Sequence, residues 1–252
     1  MDIFEAVDSR LSCRAYLDRP VDPKIVRSLI GRAARVASSG NLQPWHVYAV
    51  SGAALVELKK QVAVLIADGD PRHNPTEYPF QPPDLWEPYR GRREEHGHQL
   101  YSALGIERSD TDGRLRQYKR NFELFGAPVA LFVTTNRRFG VGQWADVGAY
   151  VSTIMHLARG YGLDTCPQQS WCRARDVVIP FLGIPSDQII FCAISLGYGD
   201  RNHPANSFRS HRAELEEFAT FVEAVPVGDQ RERGTDQNRD LKEGQQHAGR
   251  DL

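Results

Sequence analysis

Ala127-Pro128-Val129-Ala130-Leu131-Phe132-Val133 holds no polar side chain. A strand with one wet face alternates apolar and polar residues; a run without that alternation belongs at the centre of a sheet. Ile189 to Leu196 reads the same way, as a second continuous apolar strand. Helical patterns surround these two strands. Asp146 to Tyr161 reads as a helix with small residues at Gly148, Ala149 and Ser152, ended by Gly160 and Gly162. Asp176 to Leu182 reads as a short helix stopped by Gly183 and Pro185. Upstream, Trp45 to Val50 reads as a strand and Ala53 to Ala67 as a helix. Val21 to Val36 is a further helix: Asp22 supplies the N-cap, Pro23 the first turn, and Ile25, Leu29, Ile30 and Ala33 recur at helical spacing. Asp2 to Ser9, Tyr89 to Ile106, Arg114 to Phe125 and Glu214 to Val225 complete the helical segments. Alternating helices and buried strands predict a single α/β or α+β sandwich.

Two stretches interrupt that pattern. Asp68 to Pro88 contains Pro71, Pro75, Pro79, Pro82, Pro83 and Pro88, with Tyr78, Phe80 and Trp86 among them. Such a segment forms no regular element, and long irregular stretches within compact domains serve as lids or binding loops. We therefore expect one domain over residues 1–225, with residues 68–120 as an inserted lid. From Gly228 onward Arg, Asp, Gln and Gly dominate, so residues 226–252 are expected to be a disordered tail.

Composition narrows the function classes. The 252 residues carry 31 basic and 32 acidic side chains, a net charge of -1, which argues against a general nucleic-acid binder. No apolar run approaches the roughly 18 residues of a membrane helix, and Met1-Asp2-Ile3-Phe4-Glu5 is no signal leader. The four cysteines form no CxxC pair, so neither a zinc site nor a disulfide scaffold is expected. A cytoplasmic protein with reduced thiols is the expectation.

Four clusters could carry chemistry. Ser9-Arg10-Leu11-Ser12-Cys13-Arg14 sets two arginines around a hydroxyl, a donor set suited to phosphate. Ser38-Ser39-Gly40-Asn41-Leu42-Gln43-Pro44-Trp45 offers backbone amides and two carboxamides to a flat polar heterocycle. Gly162-Leu163-Asp164-Thr165-Cys166-Pro167-Gln168-Gln169-Ser170 reads as a loop, because its proline blocks regular structure. Asn206-Ser207-Phe208-Arg209-Ser210-His211-Arg212 adds two further arginines. Each cluster alone also reads as ordinary surface charge or turn. Cys166 has no histidine beside it in sequence, so the rival reading of a cysteine hydrolase lacks its base. The histidines show no metal-ligand spacing, and Walker and GxGxxG loops are absent.

Taken together and in order, these motifs resemble the nitroreductase family of FMN-dependent oxidoreductases, from about Phe4 to Phe221. Ser9 to Arg14, followed by Tyr16 and Pro20-Val21, is similar to the family's opening SRxSxR motif. Ala33 through Trp45 is similar to its APSxxNxQPW motif, with Val36-Ala37 in place of the usual Ala-Pro. Asp146-Val147-Gly148 through Gln168 resembles the central helix and flavin loop, and Leu196 to Asp200 with Arg212 resembles the family's ending. The resemblance implies an α+β fold, an α/β/α sandwich around a mostly antiparallel sheet, in a homodimer with FMN at the subunit interface. It implies that Arg10, Leu11, Ser12 and Arg14 hold the phosphate and ribityl chain, with Arg209 and Arg212 closing on the phosphate. Ser38, Ser39 and Asn41 would reach the flavin ring from the partner subunit, and Pro167, Gln168, Gln169 and Ser170 would line it.

The implied reaction passes hydride from NADPH or NADH through flavin N5 to nitroaromatic or quinone-like acceptors. The kinetics would be ping-pong, with nitroso and hydroxylamine products. No catalytic side chain and no metal is required. Tyr78, Phe80, Trp86 and Tyr89 of the lid are the candidates for stacking on the acceptor; the plainer reading is that they anchor a long loop. Rival readings are a reductive dehalogenase, an oxygen-dependent flavin enzyme, or a flavin-binding sensor without turnover.

Overall fold

A computed structural model describes residues 1–222. The chain divides into a first unit, Met1–Ser210, and a second, His211–Leu252. The first unit is built on four strands: β1 (His46–Ser51), β2 (Val129–Asn136), β3 (Asp164–Gln168) and β4 (Gln188–Gly197). Their order is β1-β2-β4-β3, and every neighbouring pair is antiparallel. The two apolar runs are thus the central strands, paired from Val129 opposite Leu196 to Val133 opposite Cys192.

The helices explain why these strands lack polar residues. Ala130, Phe132, Ile190 and Ala193 pack against Leu55, Leu58 and Val62 of α3 (Gly52–Leu65) and Val178 of α7 (Arg175–Leu182). Leu131, Val133, Cys192 and Ile194 face the other way. They meet Val26, Leu29 and Ala33 of α2 (Pro23–Ala33) and Val147, Tyr150 and Ile154 of α6 (Val141–Gly160). Successive side chains leave a strand on opposite faces, and here both faces are covered. The expected α/β/α sandwich is what forms. The remaining helices are α1 (Ile3–Ser9), capped by Asp2, α4 (Tyr89–Ala103) and α5 (Thr111–Lys119).

Three local expectations are corrected. Asp164 to Gln168 is a strand, not a loop. It lies at the sheet edge, where Pro167 removes no hydrogen bond that the sheet needs. Of the segment expected as a helix from Glu214 to Val225, the described residues 214–222 form only a 3-10 turn, Leu215–Glu217, in the second unit. Phe218, Phe221 and Val222 remain about 70% exposed (69%, 73% and 71%), and a short helix without a buried face is not stable. The helix expected over Arg114–Phe125 ends at Lys119 and continues as a 3-10 segment in which Leu124 and Phe125 take left-handed φ. The tail of residues 226–252 lies outside the described residues.

Candidate functional site

The opening motif is held in place by the end of the first unit. Ser12 bridges to Thr165 alongside β3, and Cys13 N donates to the Thr165 carbonyl at 2.9 Å. Arg14 N donates to Asn206 Oδ1 at 2.7 Å. Asn206 is buried, and its Nδ2 donates to the carbonyls of Ala15 and Asp200 at 2.9 and 2.7 Å. Arg209 spans the C-terminal end of α1. Its Nη1 donates to Asp8 O and Arg10 O at 3.0 and 2.8 Å, and its Nη2 to Ser9 O at 3.0 Å. Its guanidinium is committed to fixing the Arg10 backbone rather than reaching across to a ligand. Leu11 sits half-buried between them.

Arg10, Ser12 and Arg14 all lie within electrostatic reach of the Cys166 thiol. Both arginines and the Ser12 hydroxyl act to lower the Cys166 thiol pKa, yet complete burial outweighs them and pushes it up. The thiol is therefore protonated near neutrality and makes a poor nucleophile. All four cysteines are free and buried; burial raises Cys13 to about 12 and Cys172 to about 11. A cysteine hydrolase is not supported. Two guanidiniums and a hydroxyl within reach of one thiol are a donor set suited to a phosphate monoester. His156 of α6 stands near Arg10; burial, then Arg10, lowers its pKa.

Beneath the motif lies a buried ionic hub. Asp164 is 3% exposed. It accepts Arg159 Nη1 at 2.9 Å, Arg201 Nη2 at 2.8 and 3.0 Å, and Gly199 N at 3.3 Å. Arg159 also donates to Leu163 O and to Ser9 Oγ at 3.0 and 3.1 Å. A Cβ at Gly199 would lie 2.6 Å from Asp164 Oδ2, so only glycine fits there. The hub thus joins α6, β3 and the first residue of the motif.

Beyond β3 the four candidate ring-lining residues differ. Gln168 points inward, donating to Asn121 O and Oδ1 at 2.9 and 3.1 Å. Trp171 Nε1 donates to the same Asn121 carbonyl at 2.8 Å. Gln169 is exposed and lies 3.5 Å from the Tyr78 hydroxyl, and Pro167 is half-buried. Ser170 Oγ and Gln168 Oε1 are buried without a protein partner. Unsatisfied buried polar atoms of this kind need a ligand or water.

The Ser38–Trp45 loop lies elsewhere. Gly40 and Asn41 take left-handed φ of 54° and 57°, which leaves Ser39 and Asn41 exposed. Ser38 Oγ accepts Gln43 N at 3.1 Å, and Ser39 N donates to Asp146 Oδ2 at 3.2 Å. Asp146 belongs to the first turns of α6 and Arg159 to its last. Along the helix axis, thirteen residues, about 20 Å, separate the anchor of this loop from that of the arginine motif. One chain does not bring the two motifs together.

The aromatics of the proline-rich stretch also divide. Tyr78 and Phe80 pack against the core as anchors. The Tyr78 hydroxyl donates to the Phe191 carbonyl, and its ring meets Trp144 edge-on at 4.7 Å. They are therefore not free to stack on an acceptor as expected. Trp86 and Tyr89 are exposed and pair edge-on at 5.4 Å. Arg212 falls in the second unit, where its Nη1 donates to His211 O at 3.0 Å. Sequence reasoning named Asn206 only as part of a cluster, without its role, and missed the Asp164 hub and His96, which lies against Arg14. Among the described residues no group of side chains could hold a metal, and no helix is long and apolar enough to cross a membrane.

The chain was compared with known proteins. The family model described as "Nitroreductase family" matches residues 7–198. The chain is 38% identical over 220 residues to a nitrobenzene nitroreductase of Ectopseudomonas oleovorans, covering 87% of this chain and 96% of that protein. It is 39% identical over 226 residues to a 4-nitrobenzoate reductase of Nocardioides sp. (strain LMS-CY), covering 88% and 91%. The crystal structure of the FMN and NADPH-dependent nitroreductase NfnB from sphigopyxis sp. strain HMH superposes with a TM-score of 0.85. It is 36% identical and covers 88% of this chain and 99% of that one.

Proposed function

The chain belongs to the nitroreductase family, and from that membership we propose that it is an FMN-dependent oxidoreductase passing hydride from NADPH or NADH to nitroaromatic acceptors. The observation that carries the reading is that Arg10, Ser12 and Arg14 all act on Cys166 of β3, the strand that leads to the buried, unsatisfied polar atoms of Gln168 and Ser170. A phosphate monoester and a polar ring, joined by a short chain, match those two donor sets. Bound FMN supplies the two-electron chemistry.

The protein's part is to hold and orient. Arg10, Ser12 and Arg14 bind the phosphate with charge-assisted hydrogen bonds. Leu11 lines the chain behind it, and Arg209 fixes the backbone that carries Arg10. Pro167, Gln168, Gln169 and Ser170 line the ring. Ser38, Ser39 and Asn41 serve the site of a second copy, which the 20 Å separation along α6 favours. The same dimer would cover Ile3 and Phe4 of α1, 64% and 77% exposed beside a 410 Å³ cavity lined by Leu157 and Tyr161. No side chain need act as an acid, because solvent supplies the protons. Donor and acceptor occupy the site in turn, which makes the kinetics ping-pong. Nitroaromatics are then reduced two electrons at a time, to nitroso and hydroxylamine products. Trp86 and Tyr89 are the exposed lid aromatics available to an aromatic acceptor.

The test is an absorbance spectrum of the purified protein, taken before and after anaerobic NADPH or NADH and again after a nitrobenzoate. We expect a flavin spectrum that bleaches with the nicotinamide and recovers with the acceptor. A flavin that binds without cycling would sink the enzymatic reading in favour of a sensor. Failure to take up FMN at all would sink the cofactor assignment. Arg10→Ala and Arg14→Ala should each weaken FMN binding by about 1.5–3 kcal/mol, read by flavin fluorescence on titration. Unchanged affinity in both would refute the phosphate assignment.

A further inference from the structure

Lid helix α4 buries none of its residues fully, yet it reaches the arginine motif. His96, half-buried on α4, places Nε2 3.2 Å from Arg14 Nη2. Its ring lies against Phe208, centroid to centroid 5.8 Å. A guanidinium can only donate, so Nε2 is the acceptor in this contact. Arg14 Nη1 donates to Ser12 O at 3.2 Å, and the Arg14 backbone N–H is held by Asn206. The Arg14 side chain therefore has two acceptors, one from its own motif and one from a helix 82 residues away.

An arginine that binds an anion gives up rotamer freedom, and ordering it beforehand removes that cost from binding. We propose that His96 is a positioning residue that presets Arg14 for the cofactor phosphate and so ties the docking of the lid helix to cofactor occupancy. The proposal rests on the assignment of FMN to the Arg10, Ser12 and Arg14 cradle. Coupling of this kind is reciprocal: whatever His96 contributes to phosphate binding, phosphate binding returns to the docking of α4. It gives the lid a mechanical connection to the phosphate end of the cofactor, apart from any contact with the acceptor.

The experiment is a titration of the full chain with FMN and, separately, with riboflavin, which lacks the phosphate. His96→Leu should weaken FMN about tenfold and leave riboflavin within twofold. His96→Gln, whose amide oxygen can accept from Arg14, should recover most of the loss. Adding His96→Leu to Arg14→Ala should cost nothing further, since the pair acts as one. Proteolysis across residues 82–103 should slow on FMN binding in the parent and not in His96→Leu. Equal losses for FMN and riboflavin would reduce His96 to lid packing and overturn the proposal. So would no loss for either, or a full additional loss in the Arg14→Ala background. A parent protein that binds FMN no better than riboflavin would overturn the cradle assignment itself, and this proposal with it.

Discussion

Asp164→Ala should lower the stability of the protein by about 3–5 kcal/mol, the cost of stranding a buried charge. Arg159 sets the size of the effect: its side chain is 10% exposed and its Nη1 bonds Asp164 at 2.9 Å. Its other bonds, to Leu163 O and Ser9 Oγ, do not neutralise it. Arg201 adds little, because its side chain is 48% exposed and water screens it. Asp164→Asn keeps an acceptor for Arg159 and Gly199 and should lose less. Denaturant midpoints of the three proteins decide the matter; an alanine variant within 1 kcal/mol of the parent would show that the hub is redundant. FMN affinity should fall along with stability in Asp164→Ala, since Arg159 reaches Ser9 at the head of the arginine motif.

Trp171→Ala should cost a similar amount, about 3–5 kcal/mol, for a different reason. The indole is fully buried and packs edge-on against Phe132 at 5.2 Å and near Phe122 at 5.8 Å. Its removal opens a cavity between the central sheet and the 3-10 segment of residues 120–126. It also takes one of two donors from the Asn121 carbonyl, the acceptor that holds Gln168. Trp171→Phe keeps most of the volume and loses the N–H bond, so it should cost about 1 kcal/mol from that bond. Thermal unfolding with flavin release followed in parallel would separate the two effects. An alanine variant that unfolds with the parent, or keeps its flavin to the same temperature, would contradict this account.

These two residues also mark where the sequence could be read and where it could not. Val129–Val133 was legible as part of a central strand because both of its faces meet helices, which leaves no polar residue along it. β3 was not, because Asp164, Thr165 and Gln168 look like loop residues until their partners are known. Those partners sit in α6, in residues 199–201 and at Asn121, and no local pattern announces them. The arginines of the opening motif were legible from their spacing. Asn206 and His96 were not, since they meet Arg14 across 192 and 82 residues. The terminal segment failed in the opposite sense: Glu214 to Val225 has helical periodicity, but over the described residues 214–222 periodicity without a buried face does not make a helix. Tyr78 shows how composition misleads, for an aromatic in a proline-rich stretch suits a lid, yet this one is an anchor.

The bond between Arg14 and Asn206 has a consequence for how the protein is made. Arg14 leaves the ribosome 192 residues ahead of Asn206, which fixes its backbone. At about 5–20 residues per second, the motif waits roughly 10–40 s for that partner. A nascent chain therefore carries its arginines long before the Arg14 backbone is fixed. Chains interrupted before Asn206 carry the motif without the bond that fixes the Arg14 backbone.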